Sequence, residues 1–238
     1  MKKTLLVTLQ ACVLAAIASS AVAADKLVFG IALEPYPPFS FKSGKGDWSG
    51  FEPEMITAVC AQMKAECTLN EMSWDGLIPA LKSQQVDVVL NSLSITPERQ
   101  QVIDFTQPYF FTRALWIGES ALPLEATPEG LKGKIIGVQV STVHQAYVEK
   151  YFAPVAAEVK TYQTQDEANQ DLVAGRVDAI QADSIALDAF LTSEAGAACC
   201  ESKGAVASDP EVLGLGPGQR RALQGDVFVC DGGPRFFR

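Results

Sequence analysis

Short apolar runs and helically spaced segments alternate twice along this chain, on either side of one long aromatic stretch. That alternation constrains the fold more than any other feature. In the first half, residues 26–32 alternate and read as a strand. Residues 51–65 set Met55, Ile56, Val59 and Met63 at helical spacing. Residues 68–72 read as a strand, 74–81 start a helix, and 86–90 form a buried strand. Residues 105–117 are extended and aromatic, and read as a connection that also forms a strand. Beyond it, expected strands at 134–140, 158–162 and 177–182 alternate with helices at 141–152, 166–174 and 184–192. Such alternation predicts α/β sheets with ligand loops at the strand ends. Two α/β lobes joined by extended chain imply a cleft between them.

The loop after Leu90 carries the most chemistry. Asn91-Ser92-Leu93-Ser94-Ile95 ends the apolar run, and Thr96-Pro97 then suits a helix cap and first position. Arg99 falls in the first turn of that helix, where the dipole already favours a negative charge. Its planar fork fits a carboxylate, although an ordinary surface arginine would read the same way. Earlier, Glu34-Pro35-Tyr36-Pro37-Pro38-Phe39 is too rich in proline to continue a sheet and reads as a stiff loop. Residues 42–50 are glycine-rich but lack a following Gly-Lys-Ser/Thr, so they read as a hairpin tip rather than a phosphate loop.

The chain opens with Lys2-Lys3, an apolar run from residue 5 to 17, and an Ala21-Val22-Ala23 site, the pattern of a secretory signal cleaved after Ala23. The run is too short to span a bilayer. Cys12 raises the alternative of a lipoprotein, but it lies inside the apolar run. Loss of Lys2 and Lys3 takes the formal charge from -9 to -11. An acidic exported product argues against nucleic acid and anionic membrane surfaces as partners. Cys60 and Cys67 lie close together in an exported chain, which favours a short-loop disulfide. Cys199 and Cys200 are adjacent and are not expected to pair with each other, and Cys230 stands alone. A single histidine, His144, is too few for a metal cluster with these cysteines, so no metal and no cofactor are expected.

Specific motifs add a resemblance. They include Tyr36-Pro37-Pro38-Phe39, Gly50-Phe51-Glu52, Trp74-Asp75-Gly76-Leu77-Ile78-Pro79-Ala80-Leu81 and Ser92-Leu93-Ser94-Ile95-Thr96-Pro97-Glu98-Arg99. Asp104-Phe105-Thr106, Leu131-Lys132-Gly133-Lys134, Gly175-Arg176-Val177-Asp178-Ala179 and Ala182-Asp183 follow in the same order. In these the chain resembles the periplasmic solute-binding proteins for polar amino acids, near the lysine/arginine/ornithine- and histidine-binding members. The resemblance implies a type II periplasmic-binding fold, or Venus flytrap: two α/β lobes joined by extended crossover strands. Its expected divisions are a signal at 1–23, a first lobe at 24–111 with 214–238 as its C-terminal part, and a second lobe at 112–213. The spacing of Cys60 and Cys67 also matches a disulfide of the histidine-binding relatives.

The implied function is capture of a free amino acid in the periplasm by a monomer, without catalysis, and delivery to an inner-membrane ABC transporter permease. Arg99 would hold the α-carboxylate with the backbone N–H of Thr142. Asp183 would hold the α-ammonium, helped by Ser92 and Ser94. Tyr36 and Trp74 would sandwich the side chain. Plainer readings exist for each: core aromatics for Tyr36 and Trp74, a helix N-cap for Asp183, turn residues for the serines. Three departures bear on the ligand. The basic-amino-acid binders carry an acidic residue at the position of Leu33, whereas here the acid is Glu34, and because successive strand residues face opposite sides, alternation argues that Glu34 points away from the cleft. Asn91 stands where relatives have Ser. Gln139, Val143 and His144 stand where they often carry Leu, Thr and Gln, which makes Gln139 and His144 subsite candidates, with a surface position on the helix as the alternative for His144. Arginine, lysine, ornithine or histidine is the expected ligand, with glutamine or an opine-type derivative as the alternative. An enzyme on the same fold, dehydratase-like and using Glu34 or His144, and a detached sensor domain are the rival readings.

The end departs most. From Pro217 to Arg238 no helical period survives, and the tail reads as a frameshifted end or else a divergent one. It is expected to leave the first lobe's sheet incomplete, with exposed strand edges and lower stability.

Overall fold

A computed structural model describes residues 26–206 and 229–230. The expected signal at 1–23 and the rest of the tail lie outside the described residues.

Two five-stranded sheets carry the molecule. The first contains β1 (Lys26–Ala32), β4 (Glu66–Met72), β5 (Val88–Val89), β6 (Asp104–Phe105) and β12 (Val229–Cys230), in the order β4-β1-β5-β12-β6. β1 runs parallel to β4 and β5. β12 lies antiparallel between β5 and β6, pairing Val229 with Val89 and Phe105. This corrects the expectation that the tail leaves the first sheet open. A two-residue strand suffices to bridge two strands whose backbone groups would otherwise lack partners.

The second sheet contains β7 (Ala114–Glu119), β8 (Ile135–Gln139), β9 (Glu158–Tyr162), β10 (Ala179–Asp183) and β11 (Cys200–Ala205), in the order β11-β7-β10-β8-β9. β8, β9 and β10 are parallel, and β7 is antiparallel to β10. A hairpin of β2 (Phe41–Lys42) and β3 (Trp48–Ser49) fills the glycine-rich stretch as expected. Residues 106–113 cross between the sheets and become a strand only at Ala114, so the expected long strand begins late.

Both sheets are covered on both faces, which explains the continuous apolar runs. Leu27 and Phe29 of β1 pack with Ile56 and Cys60 of α1 (Phe51–Met63). Ala32 and Val89 pack on the opposite face with Leu77 and Leu81 of α2 (Leu77–Lys82). In the second lobe, Ile136 and Val138 meet Val148 of α4 (Val143–Tyr151), while Ile180 and Ala182 meet Leu172 of α5 (Gln165–Val173) and Leu187 of α6 (Ser184–Leu191). The helix expected after Thr96 is the single turn α3 (Pro97–Gln100), with the Thr96 hydroxyl accepting from the Arg99 N–H at 3.2 Å.

Cys60 and Cys67 are disulfide-bonded, joining α1 to β4. Cys199 and Cys200 are also joined to each other, which corrects the expectation that neighbours would not pair. α7 (Glu194–Cys199) ends at the first cysteine and Cys200 is already extended, and this sharp change of backbone brings the two side chains together.

Asp171 is the main electrostatic anchor of the second lobe. Its carboxylate accepts from Lys160 Nζ at 2.6 Å, the Tyr162 hydroxyl at 2.6 Å and Arg176 Nε at 2.7 Å, tying α5 to β9 and to the turn before β10. The Arg176 and Lys160 bonds hold this carboxyl well below the usual carboxylate range. Burial, with the carboxylate beside it, pushes the Tyr162 hydroxyl up to about 12. A depressed carboxyl stabilises the fold above its ordinary pKa, and that contribution is lost as pH falls through the depressed value. Asp171→Asn is therefore expected to lower the melting temperature at neutral pH. The gap between wild type and variant should narrow in strongly acidic buffer, as followed by circular dichroism.

Candidate functional site

The carboxyl ends of the parallel strands in both sheets open onto one cleft, where ligands bind in open α/β sheets. It has an empty volume of about 570 Å³ including its mouth, and every ligand residue expected from the sequence lines it.

From the first lobe, the exit of β1 brings Glu34 and Tyr36, the exit of β4 brings Trp74, and the exit of β5 brings Asn91, Ser92 and Ser94. Arg99 reaches in from α3. β1 ends at Ala32, and beyond it Leu33 turns outward, 49% exposed, while Glu34 turns into the cleft. This corrects the expectation that Glu34 faces away from the cleft, because strict alternation holds only as far as the end of β1 at Ala32. One Glu34 carboxylate oxygen, Oε2, is buried without a hydrogen-bond partner among the described residues. Burial pushes the Glu34 carboxyl above its ordinary value, and nearby Asp75 adds to this against the backbone N–H groups of Glu34 and Trp74.

From the second lobe come Gln139 at the end of β8, Thr142 as N-cap of α4, His144 in its first turn, and Asp183 at the end of β10. The Thr142 hydroxyl accepts from the Gln145 N–H at 3.0 Å and donates to the Gln139 carbonyl at 2.7 Å. Asp183 occupies the N-cap position of α6, yet its side chain makes no capping bond. Its Oδ2 instead accepts from the Tyr36 hydroxyl of the other lobe at 2.8 Å, and its Oδ1 lies 3.5 Å from His144 Nε2. His144 is buried here rather than on the helix surface, at 7% exposure.

Two more bonds cross the gap. Arg99 Nη2 donates to the Ser141 carbonyl at 2.9 Å while Nη1 donates to the Ser94 carbonyl at 2.8 Å. Trp74 Nε1 points to the same Ser141 carbonyl at 3.4 Å. The lobes therefore stand closed, with a guanidinium and a carboxylate from opposite lobes facing one space.

Asn91 has a scaffolding part. It is 2% exposed, and its Oδ1 accepts the Ala32 N–H at 2.5 Å, fastening the β1 exit to the β5 exit. Sequence reasoning missed three participants. The Ser141 carbonyl belongs to a backbone at φ 60°, which no side-chain motif announces. Gln165, at the start of α5, lines the cleft and donates to Asn169 at 3.0 Å. Glu52 sits fully buried behind Ser92, inside a quoted motif but without an assigned role. Among the described residues no cluster of His, Cys, Asp or Glu is arranged to hold a metal ion, and no helix is long and apolar enough to cross a membrane.

The chain is similar to several known proteins. Residues 27–122 match the family of bacterial extracellular solute-binding proteins, family 3. The L-arginine-binding protein of Pseudomonas aeruginosa is 42% identical over 198 residues, 82% of this chain and 75% of that protein. The histidine-binding periplasmic protein of Escherichia coli K12 is 34% identical over 203 residues, 84% of this chain and 78% of that protein. Among solved structures, an ancestral arginine-binding protein bound to arginine superposes with a TM-score of 0.76 at 27% identity, covering 88% of this chain and 85% of its own. The two-lobed architecture is accordingly the type II periplasmic-binding fold. With that fold, and with a relative of this identity spanning most of both chains, the chain belongs to family 3 of the bacterial extracellular solute-binding proteins.

Proposed function

We propose that this protein is a periplasmic receptor that captures a free basic amino acid, arginine first among the candidates, and hands it unchanged to an ABC importer in the inner membrane. The observation that carries this reading is the charge pattern of the cleft: Arg99 with two carboxylates, Asp183 and Glu34, around one space. A zwitterion with a cationic side chain carries the complementary set, one negative and two positive charges. Burying any of these unpaired is costly.

The roles follow from position. Arg99 would exchange its bond to the Ser141 carbonyl for the ligand α-carboxylate, joined by the N-terminal backbone of α4 at Thr142. Asp183 would take the α-ammonium in place of the Tyr36 hydroxyl, with Ser92 and Ser94 alongside. Tyr36 and Trp74 offer flat walls that suit an aliphatic stem and a cation. Glu34, with its buried and unpartnered oxygen, would meet the side-chain charge. Since Arg99 and Asp183 belong to different lobes, the ligand stabilises the closed form through contacts it makes only there. The relatives' names, an arginine-binding protein and a histidine-binding protein, support the same ligand class.

Thermal-shift and calorimetric titration with free amino acids test the reading: arginine, lysine, ornithine or histidine should raise the melting temperature, and the ligand should be recovered intact. A response confined to neutral amino acids, or turnover of the ligand, would overturn it. Arg99→Ala should weaken binding by on the order of 10²-fold or more while the circular dichroism spectrum is retained, because truncation leaves a desolvated carboxylate unpaired.

Glu34→Gln should weaken arginine and spare glutamine. Because the Glu34 carboxyl is raised, it protonates at a higher pH than an ordinary glutamate, and the neutral acid cannot pair with a cation. Arginine affinity of the wild type should therefore fall as pH drops through that raised value, and the Gln variant should lose this part of the pH profile. Equal profiles for the two would remove Glu34 from side-chain recognition.

A further inference from the structure

Glu52 lies outside the lining of the cleft, yet it is the most deeply buried carboxyl near it, at 0% exposure. It sits in the first turn of α1, two residues after the N-cap Gly50. Gly50 has φ 110°, and a Cβ there would fall 2.6 Å from the Phe39 carbonyl oxygen, so a glycine is required for the helix to start at this point. The placement of Glu52 is thus fixed by the backbone.

Its Oε1 gathers three donors. The Ser92 N–H and the Ser92 hydroxyl, the latter at 2.8 Å, come from the cleft loop after β5. The Tyr109 hydroxyl, also at 2.8 Å, comes from the crossing segment between the lobes. The Phe51 and Tyr109 rings lie beside this junction, 6.0 Å apart. Ser92 holds a left-handed conformation, φ 48°, that a serine adopts only under constraint. Oε2 has no hydrogen-bond partner among the described residues. Burial pushes the Glu52 carboxyl up, and Asp183 adds to this, against the bonds from Tyr109 and Ser92.

A hydroxyl has one hydrogen to donate and lone pairs to accept with. Once the Ser92 hydrogen is committed to Glu52, the oxygen can act toward the cleft only as an acceptor. An ammonium is a donor with no acceptor capacity, so this polarity suits it and excludes a second acceptor. Resting on the functional reading above, we propose that Glu52 is a positioning residue: it orients the Ser92 hydroxyl as an acceptor for the ligand α-ammonium and fastens that loop to the inter-lobe segment through Tyr109. The ligand does not touch Glu52. The neutral form of its carboxyl keeps Oε1 as an acceptor, so glutamine is a sufficient replacement and an apolar side chain is not.

The test compares Glu52→Gln, Glu52→Leu and Ser92→Ala with the wild type, using arginine and 5-guanidinopentanoate, its analogue without the α-amino group. The wild type and Glu52→Gln are expected to prefer arginine by the same factor. Glu52→Leu and Ser92→Ala should each lose about tenfold of that preference, the scale of a hydrogen bond to a charged group. Leu81→Ala, which weakens the same lobe from the other side of the sheet, should leave the preference unchanged. An unchanged preference in Ser92→Ala, or in a folded Glu52→Leu, overturns the proposal, as does a Glu52→Gln variant as impaired as Glu52→Leu. Hydrogen exchange on the ligand-free protein reads the clamp independently of any ligand. Glu52→Leu should accelerate exchange at Ser92 and in residues 106–113 but not in β8 or β10, and retained protection there would refute the clamp. If no basic amino acid shifts the wild type, the functional reading fails while the exchange result still decides the clamp.

Discussion

The two lobes are held at one separation by a carboxylate that belongs to one and a hydroxyl that belongs to the other. Asp183 stands at the N-cap of α6, where a carboxylate ordinarily folds back onto its own helix, and it does not do so. It accepts from Tyr36 across the cleft instead. Arg99 does the reverse, reaching from the first lobe to the Ser141 carbonyl of the second. Each charged group borrows a neutral partner from the opposite lobe. A small zwitterion offers stronger, charge-assisted partners to both at once. Under the proposed function, closure and recognition would be one event in this geometry, and a partial ligand that satisfied one end would leave the other on its weaker bond.

In and behind the wall of the cleft lies a layer of polar scaffolding. Asn91 fastens two strand exits, and Thr142 caps α4 while bonding back to Gln139. Glu52 holds Ser92 and Tyr109 together. These contacts stiffen loops that would otherwise be the most mobile parts of an α/β sheet. They also explain why several cleft residues are polar yet buried. Their side chains set the backbone from which the cleft side chains project.

Much of this was legible in the residues. The alternation of apolar runs and helical spacing gives β1, β9 and helices α4, α5 and α6 nearly to the residue, because short buried strands bounded by turn signals leave few other readings. Thr96-Pro97 locates the helix start and hence Arg99. What escaped has physical reasons. The α7 and β11 pair carries small residues and cysteines with little periodicity, and its structure follows from packing on β7. The inward turn of Glu34 depends on where β1 stops, which alternation alone does not specify. The Ser141 carbonyl is a backbone group and leaves no signature in side-chain chemistry. Glu52 was visible as a motif residue, but only burial and its three donors give it a task.

The place of β12 has a consequence for assembly. The second sheet is contiguous, from β7 through β11, and can form as soon as that span is present. The first sheet cannot, because its fourth strand is supplied by residues 229–230 and slots between β5 and β6. Until those residues arrive, β5 and β6 face each other across a missing rung, with unsatisfied backbone groups on both. The sheet begun by the earliest strands of the chain thus depends for its completion on residues 229–230, whereas the second sheet depends on nothing beyond its own span.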